Sequence, residues 1–360
     1  ATQSVVERRL HEEEGLTRHD LGREKLLERI WTWKDEYMER ILGQLRRMGA
    51  SCDWERTNFT MSRKLSRAVR TVFLDFFNEG LIYRGKKLIN WSVGVQTALS
   101  NDELEHHDVD TFFWDINYPV AGEEGRFITV ATTRPETMLG DTGIAVHPDD
   151  ERYRDLVGQH VVVPFVERRI PVVADETVER DFGTGAVKIT PGHDPADYER
   201  GARFGLPIVN VLETDGRINA EGGPFAGLSR EKAREAVLEQ LDAKGLLGEE
   251  TAIEHSVPVS DRSKSTIEPL VSEQWFVRME PLAGPAIEAV QGGALRFTPE
   301  RWSKVYLDWL ENVRDWCISR QLWWGHRIPV WYDADGEPVA SRDELCLLYT
   351  SDAADDLQPV

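Results

Sequence analysis

Between Leu21 and Met48 the apolar residues Leu26, Ile30, Trp33, Tyr37, Ile41, Leu45 and Met48 recur at three- and four-residue intervals. That is the period of an α-helix with one face turned to a core. Gly49 follows as a natural C-cap. A second helix is expected from about Ser62 to Asn78, with Leu65, Val69, Val72, Phe73 and Phe76 as its buried face. "GLIYRGKKLINW" then reads as short strands ending at Trp91. From Thr111 the texture changes to "TFFWDINYPV", "RFITVATTR", "GIAVHP", "HVVVPFV", "IPVVAD" and "GAVKIT", brief β-rich runs parted by Gly, Pro and acidic turns. Strands at such close spacing predict a small barrel or sandwich. Helices are expected near Asp194–Phe204 and Ser229–Gly245, and helical texture returns after about His255. The order α-rich, β-rich, α-rich predicts a β domain inserted into another domain. The last stretch, "CLLYTSDAADDLQPV" (346–360), breaks the preceding pattern and is expected to be non-native or a disordered acidic end.

Length and composition narrow the class without naming a chemistry. At 360 residues two domains are expected. No run of about 18 apolar residues occurs, so no membrane partner is expected. The start lacks both the basic and the apolar regions of a signal peptide and has no Met, which suggests a chain already cut at its beginning. The three cysteines, Cys52, Cys317 and Cys346, have no C-x-x-C spacing, so neither a disulfide framework nor a cysteine zinc site is expected, and a cytoplasmic setting is the simplest. A net charge of −20 argues against indiscriminate nucleic-acid binding, but not against a nucleic acid held by a local patch.

Four stretches carry candidate chemistry. "ATTRPETMLGDTG" (131–143) gathers Thr132, Thr133, Thr137 and Thr142 around Arg134 and two acids at a strand-to-loop transition, with no activated nucleophile beside it. These are either strand threonines with an exposed arginine or the polar wall of a pocket for a hydroxylated ligand. In "FGTGAVKITPGHDPADYERG" (182–201), Gly183 and Gly185 permit close backbone approach, but no phosphate-loop pattern is matched. Asp194 is a natural N-cap, with Pro195 at N1 and Asp197 at N3. The two carboxylates could cap, could bind an ammonium group, or could join His193 around a metal. "DRSKST" (261–266) reads as a polar loop. "RDWCISRQLWWGHRIPVWY" (314–332) is aromatic beyond ordinary core, and Cys317 within it has no neighbouring base and reads as an inert thiol.

Taken together, "LGREKLLERIWTWKDEY", "LRRMGASCDWERTNFTM", "ATTRPETMLGDT", "FGTGAVKITPGHDPADYE", "EPLVSEQWFVRM" and "RDWCISRQLWWGHRIPVWY" resemble the valyl-tRNA synthetases, a branch of the class I aminoacyl-tRNA synthetases. The similarity runs from about Thr2 to Asp335. The resemblance implies an internal fragment with an α/β fold: a partial Rossmann-type catalytic domain (1–110, with a helical insertion, and 257–345) interrupted by an inserted β-barrel editing domain (111–256). The family's two ATP signatures would lie before and beyond this chain. ATP, valine and tRNA(Val) would then serve the complete enzyme, and only hydrolysis of mischarged Thr-tRNA(Val) would be expected here, from a monomer.

Roles follow from the resemblance residue by residue. Asp197, helped by Asp194, would bind the substrate ammonium. Thr137, Lys188 and Thr190 would recognise the threonine hydroxyl or place water. Arg134, Glu179 and Phe182 would hold the terminal adenosine, and Thr132 and Thr133 would support the ester end. His193 would order Asp194, and Trp316 would wall the valine pocket. Many relatives carry zinc-binding cysteines where this chain has Ser92, Val95, Ser260 and Ser263, so no structural zinc or other metal is expected. The alternative from another class is an inert fragment that binds tRNA weakly or folds poorly; an isoleucine-type editing domain and a metallohydrolase rank below it.

Overall fold

The computed structural model describes residues 2–261, 263–333 and 335–341; the expected tail 346–360, with Cys346, lies outside them. The chain folds as two compact units, one made of residues up to Gly85 together with those from Glu273 onward, the other of Lys86–Ser272. The expected β-rich segment 111–256 lies inside the second.

The first unit begins with helices α1 (Thr2–Glu14), α2 (Arg18–Leu21), α3 (Arg23–Arg47) and α4 (Arg63–Asn78). Val6 and Leu10 of α1 close over Leu26 and Ile30 of α3, with Trp33, Trp323 and Trp324 packed alongside. The helical period placed α3 correctly, but its apolar stripe is buried only in its first half. Ile41, Leu45 and Met48 are exposed. The same correction applies to α4, where Phe73 is buried while Val69 and Val72 face solvent. Periodicity identifies a helix; burial also needs a partner surface, and among the described residues none covers these positions.

Strand β1 (Ile82–Ser92) leads into the second unit, where β2 (Thr97–Leu99) pairs back on it with Trp91 opposite Ala98. Then come β3 (Leu104–Pro119), β4 (Phe127–Thr132), β5 (Gly143–Val146), β6 (His160–Val163), β7 (Arg168–Ala174) and β8 (Ala186–Ile189). Helices α5 (Pro195–Phe204) and α6 (Arg230–Ala243) fall where expected, and β9 (Leu247–Ser260) returns along β3. Two sheets result, ordered β4-β3-β9 and β6-β7-β5-β8. Strict alternation along the end of β3 buries Trp114, Ile116 and Tyr118 on one face. In the other sheet Val161, Val163, Ile170, Val172, Ile144 and Ile189 are nearly or fully buried. Among the described residues neither sheet order closes on itself, so the architecture stands as mixed α/β with several open sheets.

Helical texture does not return at His255. Residues 247–260 and 267–277 are strands, β9 and β10 (Ile267–Val277), separated in sequence by "DRSKST". The helices α7 (Glu280–Gln291) and α8 (Arg301–Glu311) follow, then the short strands β11 (Trp316–Cys317), β12 (Val330–Tyr332) and β13 (Pro338–Ala340). In the first unit β11 pairs with the end of β10, Phe276 opposite Cys317, and Phe73, Ile82, Trp275, Val277 and Val330 share a core. Cys317 is buried there.

The core of the second unit tests this account. Ile144, fully buried at the centre of β5, should cost about 2–5 kcal/mol as Ile144→Ala, through lost transfer energy and the cavity left behind. Urea unfolding measures it; a change within about 0.5 kcal/mol would mean that this sheet is not the core.

Candidate functional site

Asp141 ends a 3₁₀ turn (Pro135–Gly140) just before β5, and Thr190 lies just past the end of β8. The antiparallel register that sets Gly143 opposite Ile189 continues one step further, Thr142 N–H donating to the Ile189 carbonyl at 2.9 Å. Asp141 is thereby brought against Thr190, whose hydroxyl donates to Oδ1 of Asp141 at 2.5 Å. Because residues two apart share a face of a strand, Lys188 points the same way as Thr190. Its ammonium donates to Thr190 Oγ1 at 2.6 Å and stands 3.5 Å from both Thr137 Oγ1 and Asp141 Oδ1.

The loop after β8 turns into α5 by the expected cap. Asp194 Oδ1 accepts the amides of Ala196 and Asp197 at 2.8 and 3.0 Å, with Pro195 in the first turn. This aims Asp197 back at β8, where Oδ2 accepts the Thr190 amide at 3.0 Å and Oδ1 accepts Arg200 at 2.8 Å. Gly192 makes the turn possible: a Cβ there would sit 2.3 Å from the Val209 carbonyl oxygen. Burial lifts the Asp197 carboxyl to about 6, against the opposing pull of Lys188, the Thr190 amide and Arg200.

His193 is fully internal. Val211 N–H donates to Nε2 at 2.9 Å, so Nδ1 carries the proton and donates to the Pro269 carbonyl at 3.2 Å. Burial, reinforced by the Arg134 charge, drops its pKa to about 3. It is a neutral brace for the loop rather than a group free to move protons. Among the described residues, no group of three or more His, Cys, Asp or Glu side chains is placed to hold a metal.

Arg134 is tied into buried acids. It pairs with Glu268 and lies 3.5 Å from Glu136, while its Nη1 reaches the His193 carbonyl at 3.4 Å. Arg234 grips Glu136 through two 2.8 Å contacts, and Arg230 meets Glu268 at 2.5 Å. Burial would raise the Glu136 carboxyl, yet Arg234 and Arg134 hold it below its ordinary value. Thr132 is buried and accepts the Arg134 amide at 3.1 Å; Thr133 is half-buried. Thr137 donates its hydroxyl to the Arg134 carbonyl at 2.9 Å.

The structure therefore gathers Thr137, Lys188, Thr190 and Asp197 into one hydrogen-bonded cluster, with Arg134, Thr132, His193 and Asp194 in its surrounding loops. Glu179 and Phe182 are exposed on the loop before β8, with the Phe182 ring edge-on to Phe113 at 5.8 Å. Gly185 in that loop has φ +77° and admits Arg152, which donates to the Arg180 carbonyl at 2.7 Å. Trp316 is half-exposed on β11, in the other unit. At the positions where zinc cysteines were weighed, Ser92 Oγ lies 2.9 Å from Ser265 Oγ and 3.5 Å from Ser263 Oγ, and Ser260 Oγ accepts the Ser263 amide at 3.2 Å. Sequence reasoning missed Tyr118, Asp141, Glu136 and Glu268. The acids of 131–143 were visible as residues, but only the fold reveals that they are buried and what answers them.

Comparison with known proteins places the chain in a family. Residues 1–357 match the family model of class I tRNA synthetases for isoleucine, leucine, methionine and valine, and the chain belongs to that family. Within it, the resemblance to valyl-tRNA synthetases holds: a valine–tRNA ligase of Carboxydothermus hydrogenoformans is 55% identical over 96% of this chain, and that of Geobacter sulfurreducens 54% over 95%. A third, from Bdellovibrio bacteriovorus, is 52% identical over 95%. The chain spans about 39% of the length of these relatives. A solved Agrobacterium radiobacter LeuRS–tRNA complex is a loose likeness only, 17% identical with a TM-score of 0.31, over 91% of this chain and 44% of that one. No helix among the described residues is long and apolar enough to cross a membrane.

His193 gives a stability test. The folded ring protonates near 3 and the unfolded one near 6.5, so between these values the unfolded chain binds more protons. Its contribution to stability is present above about 6.5 and is lost as pH falls toward 3. Replacing the ring by His193→Asn should therefore make the stability loss between pH 6.5 and 5 smaller by up to about 2 kcal/mol. Urea unfolding of both proteins at each pH checks this; identical losses would mean that the ring titrates normally.

Proposed function

We propose that the second unit hydrolyses the ester of threonine mischarged onto tRNA(Val), and that valine activation with ATP and its transfer to tRNA belong to the complete enzyme of the matched relatives. In this reading residues 111–256 form the inserted editing domain. Two contacts between its sheets support a barrel: Val120, the residue after β3, is bridged to Val161 of β6, and β4 packs on β8. Residues 1–110 and 257–345 are parts of a Rossmann-type catalytic domain, in which Trp316 walls the valine pocket.

The observation that carries the proposal is the cluster itself: the Lys188 ammonium within reach of the Thr137 and Thr190 hydroxyls, and the Asp197 carboxylate on the Thr190 amide, with no activated nucleophile among them. Such a set can orient an ester but not attack it. An aminoacyl ester is already activated, so holding it beside a water supplies much of the acceleration. Water adds to the carbonyl carbon, the bond to the ribose oxygen breaks, and a proton from the water passes through solvent to that oxygen. Threonine and tRNA leave.

Asp197, with Asp194 beside it, pairs with the substrate ammonium. Thr137, Lys188 and Thr190 face the threonine hydroxyl or the water. Thr132 and Thr133 support the ester end, and Arg134, Glu179 and Phe182 hold the terminal adenosine. Selectivity follows from polarity: valine leaves these groups unpaired, and unpaired buried groups are costly. An apolar synthetic pocket cannot strongly reject an isostere that adds a hydroxyl, a limit of which valyl-tRNA synthetases are themselves the known example.

Purified Thr-tRNA(Val) and Val-tRNA(Val) test the reading. Threonine should be released and valine spared, and Asp197→Ala should lower the threonine rate by about a hundredfold or more. The rate should also rise with pH through about 6, as Asp197 ionises and gains its grip on the ammonium. Equal release of both amino acids, or an active Asp197→Ala variant, would overturn it; no release by the folded protein would favour a chain that only binds tRNA.

A further inference from the structure

Asp141 has no assigned role, yet it is fully buried and each of its oxygens is occupied. Oδ2 accepts the Tyr118 hydroxyl at 2.6 Å, and Oδ1 accepts the Thr190 hydroxyl at 2.5 Å, with Lys188 Nζ 3.5 Å away. A hydroxyl owns one hydrogen and two lone pairs. The Thr190 hydrogen is spent on Asp141, and its oxygen already accepts from Lys188. The Thr137 hydrogen is likewise spent on the Arg134 carbonyl. Both threonines therefore face the cluster as acceptors, and Lys188 is the donor between them.

We propose that Asp141 is a positioning residue that fixes the donor–acceptor polarity of this wall, so that it selects a ligand hydroxyl able to donate to threonine oxygen while accepting from Lys188. The inference rests on the deacylase reading above. It deepens it by stating which way the hydrogen bonds run and which residue sets them. A ligand group that is only an acceptor, or only apolar, meets one half of the wall and leaves the other unpaired. Without the Asp141 carboxylate, the Thr190 hydroxyl can turn its hydrogen toward the ligand and compete with Lys188.

The test is a double-mutant cycle on Thr-tRNA(Val) deacylation, with wild type, Asp141→Leu, Thr190→Val and the pair. Each single change should lower kcat/KM at least about tenfold, and the pair should fall no more than about twofold below the worse single. Tyr118→Phe leaves the Oδ1 contact intact and should cost less than about threefold, and Thr190→Ser should restore most of what Thr190→Val removes. A double variant whose loss is the product of the two singles would overturn the proposal, as would a Tyr118→Phe variant as impaired as Asp141→Leu.

A second readout does not need activity. The Thr190 hydroxyl proton should be visible by NMR of threonine-labelled protein as a slowly exchanging signal, absent from Thr190→Val and exchanging at least about tenfold faster in Asp141→Leu. If wild type shows this signal but deacylates nothing, the deacylase reading fails and the hydrogen-bond polarity stands. If Asp141→Leu does not fold, the wild-type signal and the serine-for-valine rescue decide. A Thr190 hydroxyl proton in fast exchange with water would sink the inference whatever the rates.

Discussion

A carboxylate with no access to water has to be answered by donors from the protein, and Asp141 is answered from three directions. Tyr118 reaches it from β3, Thr190 from the end of β8 and Lys188 from within β8. Those donors come from both sheets of the second unit, so the acid ties one sheet to the other at the point where the polar cluster forms. Burial pushes the Asp141 carboxyl upward, and Lys188 with the two hydroxyls pulls it back. The chain has little freedom here: an apolar residue at 141 would leave a buried phenol, a buried hydroxyl and a nearby ammonium with one partner fewer each.

The same constraint recurs around Arg134. Glu136 and Glu268 are buried, and three arginines, two of them from α6, answer them. Buried ion pairs of this kind add little net stability, because drawing these five charged groups away from water costs about as much as their attraction returns. What they impose is geometry. Glu136 can be satisfied only if α6 lies against the 3₁₀ turn, and that placement holds the backbone carrying Thr137 and Asp141. Breaking one partner leaves the others as uncompensated buried charge, so the loop and the helix are positioned together.

Local signals were legible wherever they were sufficient. The Asp194–Pro195 cap fixed the start of α5 from three residues. Motif resemblance named Thr137, Lys188, Thr190 and Asp197 for one site, and the fold brings the four together. Two kinds of information were out of reach. Whether Ile41 or Val72 is covered depends on what lies against a helix, not on its period. The partners of Asp141 and Arg134 are distant in sequence: Arg134 meets an acid 134 residues away, and no spacing rule encodes that contact. In the sequence His193 could join a metal site or order Asp194, and its two backbone partners make it a neutral brace.

Asp194 divides its labour between its two oxygens. Oδ1 takes both helix amides, while Oδ2 has no hydrogen-bond partner among the described residues and the side chain is exposed. Asparagine offers the same capping oxygen without the charge. A lineage could therefore exchange one for the other and keep its helix, its loop and its solubility. Selection for a folded protein does not guard the charge at this position; only selection on what the site discriminates can do so.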